Sequence, residues 1–431
     1  MMAKVMVKVC GIPLLTACLL LGQNARAEDA WQIPAVNAEN KLQSLQQADQ
    51  FAWRLFVALN WPADLAKREA DGQQSLASQA PAVWETWPRT ELVYLPLAAE
   101  PLAWDALKVG TDHRIKAGEN DSDQLQSLID LRGVPLTKDN FAQYEVRYNR
   151  LTHDYIRSSR LYDASIQEYY FYHDMPIRFP DGAIIIKAVW RLIPEDHKAY
   201  YRWSEFTQED GSTQLLGLTG MHIMAKYSTG WHWSTFEHVD NPYRTGIMDE
   251  GWMLPSVDAF ACPQRPRGCN DAPKDFGLEN TPFNYYRLRG AMVDYIDELG
   301  NPLLIANSQI ETGQQASSSC MGCHTRASIG PRISTFREKL FADAKAAQDF
   351  QKTGQIDNQH SQSRLPLFKS QPDGSLIGYF GAPQAGSFAL SQVFPGVPGD
   401  FARMDYVWSL GDAQSSKISV DPAPTAPAKA P

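Results

Sequence analysis

Long hydrophobic runs, positive charge and cysteine are all scarce in this sequence, and each shortage narrows what the chain can be. The one extended apolar run, Val9 to Gly22, is too short to cross a bilayer, and no later segment stays apolar for long enough to do so. Its 40 basic residues face 49 acidic ones, a formal net charge of −9, which argues against nucleic acid or anionic lipid as a partner. No internal repeat is present, so a solenoid or propeller is not expected. Of the six cysteines, Cys10 and Cys18 lie close to the N-terminus.

Residues 1–27 read as a signal peptide. Lys4 and Lys8 form a short positive region, Val9 to Gly22 an apolar one, and Ala25-Arg26-Ala27 places small residues where a signal peptidase reads them. Cleavage after Ala27 and a periplasmic location are expected. Leu15-Thr16-Ala17-Cys18 has the form of a lipobox, but Leu19 to Leu21 continue the apolar run past the cysteine, which favours release without lipid. Cleavage removes Lys4, Lys8 and Arg26 and no acidic residue, so the net charge moves from −9 to −12. An acidic surface is compatible with docking to a basic redox protein. Cys262, Cys269, Cys320 and Cys323 remain. In an oxidising compartment Cys262 and Cys269, in the loop-like ACPQRPRGCND, are expected to form a local disulfide.

The remaining length, about 400 residues, suggests two or more domains. In residues 28–305 helix and strand patterns are mixed. NKLQSLQQADQFAWRLFVALNWP spaces Leu42, Leu45, Phe51, Leu55, Phe56 and Leu59 for a helix that stops before Pro62. SDQLQSLIDL and QYEVRYNRLTHDYIRSSRLYDASIQEYYFYH also read as helices, whereas GAIIIKAVWRLI, TGMHIMAKYS and GWHWSTFEHV read as strands. Composition turns polar in NSQIETGQQASSS. Thr335 and Glu338 are then spaced as a capping box for a helix, TFREKLFADAKAAQDF. The ordered part closes with FARMDYVWSLGDA, and residues 414–431, rich in Pro and Ala, are expected to be disordered.

Between these regions stands Cys320-Met321-Gly322-Cys323-His324. Two thiols separated by two residues can form thioethers with the vinyl groups of a porphyrin, and a histidine immediately after them falls under the iron. Zinc would require two further close ligands, and only His324 is local. A thioredoxin-like redox pair would require a βαβ setting, which is missing. With an export signal in the same chain, one covalently bound haem c is the expected cofactor.

From CMGCH onward, the last quarter of the chain resembles the class I c-type cytochromes. The chain as a whole reads as α+β: the patterns above make 28–305 a mixed domain of unknown role, and the resemblance implies a mostly α-helical cytochrome c-like haem domain over 306–413. It implies that Pro331, in IGP, presents a backbone carbonyl to the proximal His324. It also implies that a downstream methionine ligates the other face of the iron, and Met404 is the only methionine after His324. Met404 precedes DYVWSLGDA, which is similar to the closing helix of that family. Two features depart from the pattern: ETGQQASSS is a poor helix before CMGCH, and Met404 lies close to the closing helix. His360, a ligand from the upstream region or an open iron position are the alternatives.

The upstream region offers His222, Glu237 and His238 as candidate catalytic groups, in MHIMAKYSTGWHWSTFEHVDNP. If 231–239 is a strand, His232 and His238 stand about 20 Å apart and cannot chelate one ion, while His222 and Met224 stand about 7 Å apart. Each histidine is by default a hydrogen-bonded core residue, and the sharper alternative is that His222 or His238 reaches over the haem. WSTFEHVDN also resembles exported bacterial proteins that end in a CxxCH domain, which implies no activity. One CxxCH excludes the dihaem peroxidase arrangement. The expected function is one-electron transfer with a redox partner protein. The alternative is a peroxidase- or oxygenase-like haem enzyme with a small-molecule substrate.

Overall fold

The computed structural model describes residues 31–108, 113–114, 143–207, 211–241, 258–263, 271–296, 300, 302–311, 318–325, 327–330, 332–333, 368–370, 376–378 and 402–416. The signal peptide, the expected helices at 122–131 and 335–350, Cys269, Pro331, His360 and the tail beyond Ser416 lie outside these residues.

The chain is a mixed α and β protein built on a seven-stranded sheet. Helices α1 (Ala38–Gln46) and α2 (Ala48–Asn60) come first. The strands are β1 (His113–Arg114), β2 (Gln143–Tyr148), β3 (Ile184–Leu192), β4 (Trp203–Thr207), β5 (Thr213–Ala225), β6 (His232–His238) and β7 (Tyr286–Met292). Between β2 and β3 lie α3 (Arg150–Ser158) and α4 (Ala164–Tyr172). The long β5 organises the sheet. One of its edges carries β3 and then β2; the other carries β4 along its first half and β6, followed by β7, along its second. All of these pairings are antiparallel, and β1 adds to β4 in parallel.

Because alternate residues of a strand face opposite ways, the sheet has two distinct faces. The first, from Ile184, Ile186, Ala188, Met221, Ile223, Phe236 and Leu288, is packed against α2. That helix is apolar around its circumference, buries Phe51 to Trp53 and Leu55 to Asn60, and stacks Phe56 on Phe236 at 4.1 Å. The second face presents Ile185, Met224, Trp233 and Met292, covered by α3, α4 and the C-terminal residues Ile305, Met321, Ile329, Met404, Val407 and Leu410. Residues on both sides of position 305 therefore share this second core.

The structure corrects three expectations. QYEVRY is strand β2, not helix: Tyr144, Val146 and Tyr148 alternate with Glu145 and Arg147. Asn149 then caps α3, accepting the Thr152 N–H. FARMDYVWSLGDA is not a closing helix either. It is a two-residue strand, Ala402–Arg403, a turn, and a short 3-10 helix, Trp408–Asp412. Asp405 and Tyr406 have φ of 47° and 70°, which no right-handed helix accommodates. Third, the described residues of 306–413 contain one short α-helix, Cys320–His324, that 3-10 helix and short strands, rather than a mostly α-helical domain. Gln414 to Ser416, assigned by composition to the tail, pack beside Asp163, whose carboxylate accepts the Ser416 N–H.

Candidate functional site

The CMGCH segment folds as one turn of helix, α5 (Cys320–His324), laid on the second face of the sheet. Ser319 caps it, its Oγ accepting the Gly322 N–H at 3.1 Å. Upstream, Ile305 donates to the Ser318 carbonyl. Met321 is buried toward the sheet, its N–H 3.3 Å from Met292 Sδ. Helical spacing then sets Cys320, Cys323 and His324 together on the other side of the turn, half-buried. Neither Cys320 nor Cys323 is in a disulfide, whereas Cys262 is disulfide-bonded.

His324 is fixed on two sides. Its ring lies 4.6 Å from the Trp233 indole, and its Nδ1 is 2.8 Å from the Tyr406 carbonyl. A carbonyl can only accept, so Nδ1 carries the proton and Nε2 is the nitrogen left with a lone pair. The left-handed backbone at Asp405 and Tyr406 aims that carbonyl. The turn is anchored by Asp405, whose carboxylate takes Lys226 Nζ at 2.7 and 2.9 Å and the Phe179 N–H at 2.8 Å. Burial pushes the His324 imidazole down to about 4; the Tyr406 carbonyl and Glu311 oppose the fall, and His222 and Lys187 add to it. Burial also pushes the Cys320 thiol up, reinforced by Glu311 and Cys323. A neutral imidazole with one oriented nitrogen suits metal ligation, while a raised thiol such as that of Cys320 does not suit a redox thiolate. Among the described residues, no group of three or more His, Cys, Asp or Glu side chains could hold a metal ion by itself.

The next row of the same face is polar. Lys187, His222, Thr235 and Gly290 stand side by side on β3, β5, β6 and β7. The turn 307–311 covers this region, with Asn307 Nδ2 donating to Thr235 Oγ1 at 2.8 Å and to the Phe236 carbonyl at 3.0 Å. Gly220 admits it: a Cβ there would lie 3.0 Å from the Asn307 amide. Glu311 accepts the Asn307 N–H at 2.6 Å, and its Oε2 is 3.5 Å from His222 Nε2. Burial pushes the Glu311 carboxyl up, but His222, the Asn307 N–H and Lys187 outweigh it and leave it below its ordinary range. His222 Nε2 is buried and makes no hydrogen bond.

The expected residues thus fall into separate places. Cys320, Cys323 and His324 come together, with His222 on the same face. Glu237 is also on this face but is structural, its carboxylate accepting the Ser308 N–H and Oγ–H and so holding the turn 307–311 down. His238 belongs to the opposite face. It stacks on Tyr201 at 3.6 Å, with Nε2 on the Tyr200 carbonyl and Nδ1 accepting the Asp240 N–H. Met404 is 1% exposed within the second core, its N–H donating to the Ala327 carbonyl. On Nδ1 of His324 the described acceptor is the Tyr406 carbonyl; Pro331 lies outside the described residues. Sequence reasoning did not single out Trp233, Glu311, Lys187 or Tyr406. Only Trp233 carried a signal, as part of the aromatic-rich WHWSTFEH. Comparison with protein-family models, with curated proteins and with solved structures gives no match to this chain.

Proposed function

We propose that the chain is an exported c-type cytochrome that carries one covalent haem c and serves one-electron transfer. The observation that carries this reading is the joint geometry of Cys320, Cys323 and His324. Two thiols outside any disulfide share one helical turn with an imidazole whose Nδ1 is tied to a backbone carbonyl. This donor set fits haem c: the thiols are the attachment points and Nε2 of His324 the proximal ligand. Haem bound there supplies a metal that gains or loses one electron. The protein's own contribution is orientation. Trp233 and the Tyr406 carbonyl fix the imidazole plane and its tautomer, and the Glu237-anchored turn fixes the chain leading into the motif. In this reading 306–413 is the haem-carrying segment, cytochrome c-like in its attachment motif. The disulfide at Cys262 supports an oxidising, periplasmic location, and no described helix is long and apolar enough to cross a membrane. The partner is a redox protein, for which the acidic surface favours a basic face.

A second reading, a peroxidase- or oxygenase-like enzyme with a small substrate, is favoured by one observation, the His222–Glu311 pair on the same face. Absorption spectra of the reduced protein with and without carbon monoxide divide the two. Indifference to carbon monoxide supports electron transfer, rapid binding supports the enzyme, and the lack of any haem spectrum sinks both. His324→Ala is expected to abolish the native iron coordination; an unchanged spectrum in that variant would refute the assignment of His324.

A further inference from the structure

The direction of the two nitrogens of His324, set against the strand beneath, identifies what stands opposite its free one. This rests on the reading of Cys320, Cys323 and His324 as a haem site. Tyr406, which accepts from Nδ1, follows Asp405, and Asp405 pairs with Lys226, the residue just past the end of β5. Nδ1 is thereby tied, through Tyr406 and Asp405, to the C-terminal end of β5. On an imidazole the two nitrogens lie on opposed edges, which leaves Nε2 on the side of the ring away from that turn. Trp233, the ring against His324, is paired with Met224. Two residues earlier on the same face, about 7 Å along the strand, is His222.

His222 has one acidic neighbour, Glu311, whose Oε2 lies 3.5 Å from Nε2. That contact falls short of a hydrogen bond and leaves the buried Nε2 without one. A buried imidazole nitrogen left unsatisfied requires a reason. Of its two cross-strand neighbours, Thr235 is small and Lys187 is a long cation. Met404, by contrast, lies two residues before Tyr406, on the Nδ1 side of His324, inside an apolar core that it helps to fill. We propose that His222 Nε2 is the second protein ligand of the haem iron, opposite His324, and that Met404 is a packing residue. Glu311 stands beside His222 as a fixed negative charge.

The test uses full-length protein with its haem attached. Near-infrared magnetic circular dichroism of the ferric wild type distinguishes ligand pairs directly; two histidines are expected, and histidine–methionine or a high-spin iron would overturn the proposal. His222→Ala should become high-spin when ferric and bind carbon monoxide at once when ferrous, and added imidazole should restore the low-spin spectrum. Met404→Ala should keep the wild-type spectrum. A His222→Ala protein that remains low-spin and indifferent to carbon monoxide defeats the assignment of His222 while leaving the haem site intact. Absence of covalent haem from the wild type defeats both. Glu311→Gln should raise the reduction potential, since it removes a negative charge that favours ferric iron; an unchanged potential would remove Glu311 from the proposal.

Discussion

At the scale of single residues, burial decides the behaviour of the histidines. His232 lies wholly inside the first core, its Nε2 on the Ala48 carbonyl and its ring edge-on to Phe51 at 5.2 Å. Burial pushes its imidazole down to about 4, only partly opposed by the Ala48 carbonyl. In the unfolded chain it titrates near 6.5, so between about 4 and 6.5 the unfolded state binds a proton that the native state refuses. Its contribution to stability is therefore complete above about pH 6.5 and is lost as the pH falls toward 4, with a slope of at most about 1.4 kcal/mol per pH unit. His153, also lowered by burial, adds to the trend with the same sign. Urea unfolding midpoints measured from pH 4.5 to 7 should rise with pH in the wild type and rise less steeply in His232→Phe. Equal slopes would mean that His232 titrates alike in both states.

The clasp between Lys226 and Asp405 acts at the scale of elements. It ties the end of β5 to the turn that presents Tyr406, and both side chains are buried. Lys226→Met would strand the Asp405 carboxylate with little beyond the Phe179 N–H, and breaking a buried pair in this way costs about 3–5 kcal/mol. Denaturant unfolding should register that loss; a change below about 1 kcal/mol would mean that the pair is effectively solvated. How legible the elements were depended on how local their causes are. β3 and β6 are readable because AIIIKAVW and HWSTFEH are rich in β-branched and aromatic residues, and β5 because TGMHIMAKYS carries Thr, Ile and Tyr between turn residues. Tyr286–Met292 was overlooked because Arg287, Arg289 and Gly290 interrupt its apolar pattern. QYEVRY was merged with the helices after it although Asn149 marked the boundary. The CMGCH motif is legible because its two cysteines and its histidine lie within five residues. The groups that hold its histidine are not: Trp233 and Tyr406 reach His324 only through strand register and a turn of positive φ, which no local spacing encodes.

At the scale of the whole molecule, the second core is closed from the far end of the chain. Gln167 Nε2 donates to the Leu410 carbonyl across 243 positions, and Met404, Val407 and Leu410 fill the space under α3 and α4. Ending the chain after residue 401 should therefore bare this face while leaving the first core closed. The truncated protein should bind a hydrophobic dye that the full chain does not, yet keep the hydrogen-exchange protection of β3, β5 and β6. Loss of protection throughout would show instead that the two cores fold only together. The same asymmetry imposes a schedule on a chain delivered N-terminus first. By the time residue 292 has emerged, α2 and the strands needed for the first core are all present, whereas the second must wait for 305–329 and then 402–416. Cys320 and Cys323 arrive with the first of these segments. Until the second emerges, the His324 imidazole lacks the Tyr406 carbonyl that orients it, and that interval lengthens as delivery of the chain slows.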